Sequence, residues 1–340
     1  MNNYNSFEII RSTLRTTFQF YRSTLQADEL KCYDKMVLGI INYNNTIQID
    51  GINANKIEKI FNYIKMDNPL LFYVKELSIK YEQGFKRTVI IPKYRFDKKT
   101  ANDNIIAVLS RVKKILSSIS SSSDFNTEKE IHDYFCSNIH YDKNFAESSY
   151  ECVGPILFQK GVCEGISKAS KLLCDFLELN CIVIHGISTN TNVSFGTNAH
   201  TWNKICINDY YYNLDITFDL TISSNGLIRY DYFNLNDCDV LKDHKFNNCQ
   251  IPACVKDGCY YFVKNQMFTT TKEIRQYLLT QISNNNKTIV FKVLNNNSNI
   301  ITERKIIHCI NSALESLKKY GQHYQYSFNE TQGVMQIELM

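Results

Sequence analysis

One segment constrains the fold more than any other: Ala199-His200-Thr201-Trp202-Asn203-Lys204-Ile205-Cys206-Ile207, then Asn208-Asp209, then Tyr210-Tyr211-Tyr212-Asn213-Leu214-Asp215-Ile216. Two strand-like runs flank a two-residue Asn-Asp turn, the pattern of a β-hairpin. A turn of that length pairs Ile207 with Tyr210, and counting back along the ladder sets Trp202 opposite Asp215. Side chains alternate between the faces of a sheet, so His200, two residues before Trp202, shares its face. His200 and Asp215 are then diagonal neighbours within hydrogen-bond reach. An aspartate so placed fixes the imidazole tautomer and stabilises the imidazolium. An incidental pair on a half-exposed sheet is the plainer reading, but the apolar Ile205, Ile207, Leu214 and Ile216 around the pair fit it poorly.

A second segment supplies a nucleophile. After Gly161-Val162-Cys163-Glu164-Gly165, apolar residues recur at Ile166, Ala169, Leu172, Leu173, Phe176 and Leu177. That spacing predicts a buried helix from Cys163 to about Glu178, with Gly161 letting the chain turn sharply into it. Cys163 falls in the first turn, where the partial positive charge of a helix N-terminus favours thiolate over thiol. Position alone also suits a buried structural cysteine, as Cys174 and Cys181 are read.

Composition narrows the classes. The chain has 340 residues, 44% hydrophobic and 21% charged, with a net charge of +4. That is ample apolar material for two or three domains. No basic run suggests a nucleic-acid partner, and no stretch approaches the length of a membrane span. Phe7, Ile9, Ile10, Leu14, Phe18 and Tyr21 recur at helical spacing, so the N-terminus reads as an amphipathic helix rather than a leader. Among twelve cysteines, no pair has Cys-x-x-Cys spacing. Cys249, Cys254 and Cys259 are spaced by five, with His244 five earlier, a pattern outside the common zinc sites. We expect small apolar cysteines in a reducing, cytoplasmic compartment, with no metal and no cofactor.

Three parts follow along the chain. Residues 1–123 form an N-terminal α+β region: a strand at Thr46–Asp50, a helix at Asn53–Met66, strands at Leu71–Tyr81 and Arg87–Tyr94 joined near Gly84, and a helix at Asp103–Ser118. A serine run at 117–123 breaks the chain. Residues 124–255 hold every residue assigned to chemistry and open on a helix whose capping box is Thr127-Glu128-Lys129-Glu130. Residues 256–340 read as a C-terminal α+β domain, with strands at Tyr260–Lys264, Thr288–Leu294, Tyr324–Phe328 and Val334–Leu339 and helices at Thr271–Ser283 and Thr302–Tyr320.

Together, Val153-Gly154-Pro155 through Gly-Val-Cys-Glu-Gly, His200-Thr201-Trp202-Asn203, and Tyr211-Tyr212-Asn213-Leu214-Asp215-Ile216-Thr217-Phe218-Asp219 resemble bacterial transglutaminase-like proteins. The resemblance covers about 124–255 and includes Ile131–His140, Tyr232-Phe233-Asn234-Leu235 and Lys242-Asp243-His244. It implies an α+β fold with a papain-like core, a cysteine-bearing helix on an antiparallel sheet. It also implies a catalytic set of Cys163 as nucleophile, His200 as base and Asp215 as its orienting partner. Asn213 stands where many relatives have histidine, and Phe218 where many have tryptophan. The backbone N–H of Cys163 is one oxyanion donor by position, with Gln159 and Trp202 as candidates for the second. Glu164 suits the helix dipole, His185 reads as structural, and Asp219 as fixing a loop.

The expected reaction is acyl transfer through a Cys163 thioester on a peptide or protein amide. Water is the favoured acceptor, because transfer to an amine needs a site that excludes water. The rivals are a protein-glutamine cross-linker and a catalytically silent peptide-binding module on the same fold.

Overall fold

The computed structural model describes residues 7–8, 10–12, 17–82, 87–120, 122–189, 198–224, 226–247, 250–295 and 300–340. Residues 7–8 and 10–12 are helical, with Phe7 and Ile10 buried. The expected N-terminal helix does not run through to Tyr21, which sits in a separate one-turn helix, Phe20–Ser23. Ile9 and Leu14 lie outside the described residues. The order is then α1 (Ala27–Ile41), β1 (Ile47–Asp50), α2 (Ala54–Asp67), β2 (Val74–Glu82), β3 (Arg87–Tyr94) and α3 (Lys98–Leu116). The strands form an antiparallel sheet in the order β1-β3-β2. Asn53 and Asp97 cap α2 and α3 by accepting the Lys56 and Thr100 N–H groups, each at 2.9 Å. The turn expected near Gly84 lies outside the described residues.

Next comes α4 (Asp124–Asn138). Its cap is Ser123, whose hydroxyl accepts the Asn126 N–H, so the helix starts three residues before Thr127. Glu130 closes no capping box; it accepts the Ser120 N–H and hydroxyl at 2.5 and 2.6 Å. The serine run thus supplies both a cap and a tether. There follow α5 (Cys163–Phe176), β4 (Cys181–Ser188), β5 (Ala199–Ile207), β6 (Tyr210–Leu214), α6 (Ile216–Ile222) and β7 (His244–Phe246). The four strands form an antiparallel sheet in the order β6-β5-β4-β7.

The β5/β6 turn is the predicted two-residue one. Asn208 and Asp209 take φ of 49° and 67°, the left-handed pair a type I′ turn requires. Ile207 pairs with Tyr210 and Asn203 with Leu214, the expected register. Helix α5 lies on this sheet. Its Ile166, Ala169, Leu172 and Leu173 are fully buried, each of the larger three contributing about 2 kcal/mol of apolar burial. Two polar links fasten it: Ser167 Oγ donates to the Thr201 carbonyl, and Asn203 Nδ2 to the Ser167 carbonyl, both at 3.1 Å.

The last part comprises β8 (Met267–Phe268), α7 (Thr271–Ser283), β9 (Thr288–Val293), α8 (Glu303–Ser316), β10 (Tyr324–Asn329) and β11 (Val334–Leu339). The sheet order is β8-β9-β11-β10, parallel only between β8 and β9. Tyr260–Val263, expected as a strand, is a one-turn helix. Tertiary contacts override the β-propensity of its aromatics: Tyr260 stacks on Tyr230 with ring centroids 3.9 Å apart, and the Tyr261 hydroxyl donates to Asp231. One apolar core runs from Phe7 to Tyr261 and takes in Val334 of β11, while the buried members of a second lie between Ile274 and Ile337. Arg229 joins the two parts, paired with Asp231 at 2.7 Å and donating to Ser327 and Gln336. Helices and mainly antiparallel strands make the fold α+β. Among the described residues no helix is long and apolar enough to cross a membrane.

Candidate active site

Cys163 opens α5 after Val162, whose side chain cannot cap the helix. Gly161 is needed here for space rather than for its backbone angle. A Cβ there would lie 2.6 Å from Pro155 Cγ. Asp142 ties down the covering loop, accepting from the N–H groups of Asn144 and Ala146 at 3.0 Å and from the Ser149 hydroxyl at 2.5 Å. The Ser149 carbonyl in turn accepts the Val162 N–H. Gly165 lets this loop approach, because a Cβ there would meet the Ser149 carbonyl oxygen at 2.1 Å.

The half-buried Cys163 lines a cleft of about 260 Å³, open on one side. Its lining includes His200 and Phe218, the aromatic Tyr141, Phe145 and Tyr150, and the polar Glu164, His185, Ser188 and Asn247. His200 comes from β5, and its ring packs between Trp202 and Phe218. Its Nε2 meets Asp215 Oδ2 at 2.6 Å, and Cys163 on the same cleft is among the groups that favour its charged form. Burial disfavours a charged imidazole, but Asp215 and then Cys163 outweigh it and push His200 up to about 10. Asp215 is buried too, which alone would raise it; His200, then His244, hold it well below the usual carboxylate range.

Asp215 has a second task. It precedes α6 and caps it, Oδ1 accepting the Phe218 N–H at 3.1 Å. One turn on, Asp219 accepts the Tyr232 N–H and pairs with the buried His132 at 3.1 Å. It therefore anchors the chain behind the site, as read from the sequence.

The other expected residues are placed differently. The exposed Gln159 is outside the cleft lining, at a left-handed φ of 54°. Trp202 is fully buried, and its indole N–H donates to Asn213 Oδ1 at 3.3 Å, so it supports His200 from behind. Asn213 also donates to the Leu235 carbonyl and Asp237. Glu164 pairs with the buried Lys168 at 2.7 Å, and Lys168 pairs with Glu151. His185 faces the cleft. Its Nε2 has no protein partner and burial pushes its pKa down, so it presents a neutral imidazole.

Sequence reasoning missed His244 as part of the site. It is fully buried, its Nε2 is 3.0 Å from Asp215 Oδ2, and its Nδ1 is 2.7 Å from Asp243 Oδ1. Its presence in Lys242-Asp243-His244, and not its spacing to Cys254 and Cys259, was the signal. Cys249 lies outside the described residues, and Cys254 and Cys259 are buried. Among the described residues, His200, Asp215 and His244 are the set whose ligand-type atoms converge, within 4.8 Å. The His Nε2 atoms both face the carboxylate, so an ion could enter only by displacing those hydrogen bonds.

Residues 113–216 match the model of the transglutaminase-like superfamily and form a transglutaminase-like domain. Cys163, His200 and Asp215 all fall inside the match, and His244 falls outside it. No curated protein matches the chain. Two solved structures are similar in part. One is described as a TGase, at 15% identity and a TM-score of 0.31, covering 53% of this chain and 52% of its own. The other is a "putative cysteine protease" from Cytophaga hutchinsonii, at 14% identity and a TM-score of 0.29, covering 42% of this chain and 61% of its own. The chain thus spans less than two thirds of either.

Proposed function

We propose that this protein cleaves peptide or protein amides by acyl transfer through a thioester on Cys163, with water as the acceptor. The observation that carries the reading is the His200–Asp215 hydrogen bond at 2.6 Å on the same open cleft as Cys163 at the start of α5. The Cys163 sulfur attacks the amide carbonyl carbon. The tetrahedral oxyanion faces the Cys163 N–H at the start of α5. His200, protonated at neutral pH, gives its proton to the leaving amine as the C–N bond breaks. Water then adds to the thioester, giving one proton to His200 and the other to solvent as the C–S bond breaks, which releases a carboxylate and restores the starting sulfur–imidazolium pair. The neutral His185 and the aromatic Tyr141, Phe145 and Tyr150 are the groups available to a substrate. Replacing water by a primary amine turns the same steps into cross-linking, and the open side of the cleft favours water.

The first test is brief alkylation with iodoacetamide at pH 6, followed by peptide mapping. Cys163 should be modified ahead of Cys238, which is exposed; faster labelling at Cys238 or Cys136 would remove the nucleophile assignment. The second is incubation with casein peptides, with and without hydroxylamine. Hydroxamate formation that vanishes in Cys163→Ala supports the thioester, and incorporation of a labelled primary amine in preference to hydrolysis supports the transferase. No adduct, with unselective labelling, supports the silent module.

A further inference from the structure

His244 stands between two carboxylates in a place water does not reach. Its Nε2 faces Asp215 Oδ2 at 3.0 Å and its Nδ1 faces Asp243 Oδ1 at 2.7 Å. The ring is fully buried and Asp243 nearly so. Asp243 Oδ2 accepts the Tyr232 hydroxyl at 2.7 Å, so this second carboxylate is itself held. A neutral imidazole has one N–H and one lone pair, and here a lone pair would point at a carboxylate oxygen on whichever side it fell. Only the doubly protonated ring donates to both. The charges agree: two buried carboxylates, Asp215 and Asp243, face two imidazoles, His200 and His244, and an unmatched buried carboxylate is costly.

The same contacts immobilise Asp215. Its Oδ2 accepts from His200 and His244, and its Oδ1 from the Phe218 N–H. The carboxylate cannot rotate about its own axis without breaking one of these. We propose that His244 is a positioning residue of the reaction, an imidazolium clamped between Asp215 and Asp243 that fixes the Asp215 carboxylate against His200. This rests on the reading of Cys163, His200 and Asp215 as the reacting set. His244 belongs to β7, at the edge of the sheet and beyond the segment that matches the superfamily. The groups facing it are Asp215, Asp243 and Tyr232, which favour or tolerate its charge, and His200, which opposes it; Trp202 and Phe218 pack on its ring.

The test has an arm that needs no turnover. Histidine ring nitrogens are labelled with nitrogen-15 in the full chain and followed by NMR, with assignment by His244→Gln. His244 should show two N–H signals and imidazolium nitrogen shifts at pH 7, and Asp243→Asn should abolish that signature while leaving the fold intact. A neutral tautomer of His244 at pH 7 overturns the clamp. The second arm is kinetic. His244→Gln and Asp243→Asn should lower kcat by about tenfold to a hundredfold through misplacement of His200, with KM nearly unchanged and a shifted pH profile. Should His244→Gln not fold, Asp243→Asn carries this arm alone. A folded Asp243→Asn protein with wild-type kcat and pH profile overturns the positioning role. Activity surviving in Cys163→Ala would instead overturn the underlying reading, and the NMR result would stand apart from it.

Discussion

His200 Nε2 and Asp215 Oδ2 stand 2.6 Å apart on neighbouring segments of one hairpin, in the register that a two-residue turn dictates. With burial opposing, Asp215 and Cys163 push His200 up to about 10. The acid form should persist through neutral pH, so kcat/KM for an amide should decline only as pH approaches 10. Asp215→Asn removes the stabilising charge. It should move this alkaline limb down by a unit or more and cut kcat/KM by about a thousandfold. The same shift bears on stability. The folded value lies above the unfolded 6.5, so the contribution is complete below 6.5 and is lost as pH rises through about 10. Melts of wild type and His200→Asn over that window should converge toward alkaline pH.

Cys163→Ala and Asp215→Ala should separate catalysis from fold. Cys163 is half-buried beside a cleft, so truncation leaves little cavity and should cost less than about 1 kcal/mol. Asp215→Ala strands three donors, His200, His244 and the Phe218 N–H, in a buried place. It should cost about 3–5 kcal/mol. Activity should vanish in the first and fall steeply in the second. Thermal melts beside a thioester-trapping assay read both, and an early-melting Cys163→Ala protein in the absence of any trapping would favour a structural cysteine.

Glu128 is buried in α4 with Asn234 Nδ2 donating to it at 2.7 Å, and among the described residues its Oε1 has no hydrogen-bond partner. Burial pushes its carboxyl up to about 8, against that hydrogen bond and the nearby His132. Between 4.5 and 8 the unfolded chain ionises here and the folded one does not. Each pH unit in that window therefore costs about 1.4 kcal/mol of stability. Glu128→Gln should raise the melting temperature at pH 8 and change it little at pH 5. A loss at pH 8 would mean that a charge at this position is needed.

Gly165→Ala tests the loop over the nucleophile. The added Cβ meets backbone, the Ser149 oxygen at 2.1 Å and the Glu151 oxygen at 3.0 Å, so the loop must shift. We expect a loss of about 1–3 kcal/mol and a raised KM, because Tyr150 on that loop lines the cleft. An unchanged KM would show that the loop does not shape the substrate's seat.

Local pattern made the hairpin legible: a turn of fixed length and a period of two place His200 and Asp215 with no further information. The helix carrying Cys163 and most of the C-terminal elements were equally local. Tyr260–Val263 was misread because stacking on Tyr230 outweighs the strand preference of its aromatics. The start of α4 was misplaced because two acceptors, Ser123 and Thr127, competed in sequence and only packing chose. Gln159 lies four residues from Cys163, yet the left-handed turn at its own Cα keeps it outside the cleft. The contact of His244 with Asp215 was not readable from local pattern for a different reason. The His244 strand joins the far side of β4, and no periodicity connects residues 29 apart across Asp215 and His244.

Asp215 caps α6 as well as holding His200, so selection has two independent reasons to keep it. Cys163 has one. A lineage of this domain that abandoned catalysis would be free to exchange the cysteine long before the aspartate. Asp215 would then outlast the proposed chemistry, and in a comparison of descendants its persistence would record the helix it caps, while Cys163 alone would date the loss of that chemistry.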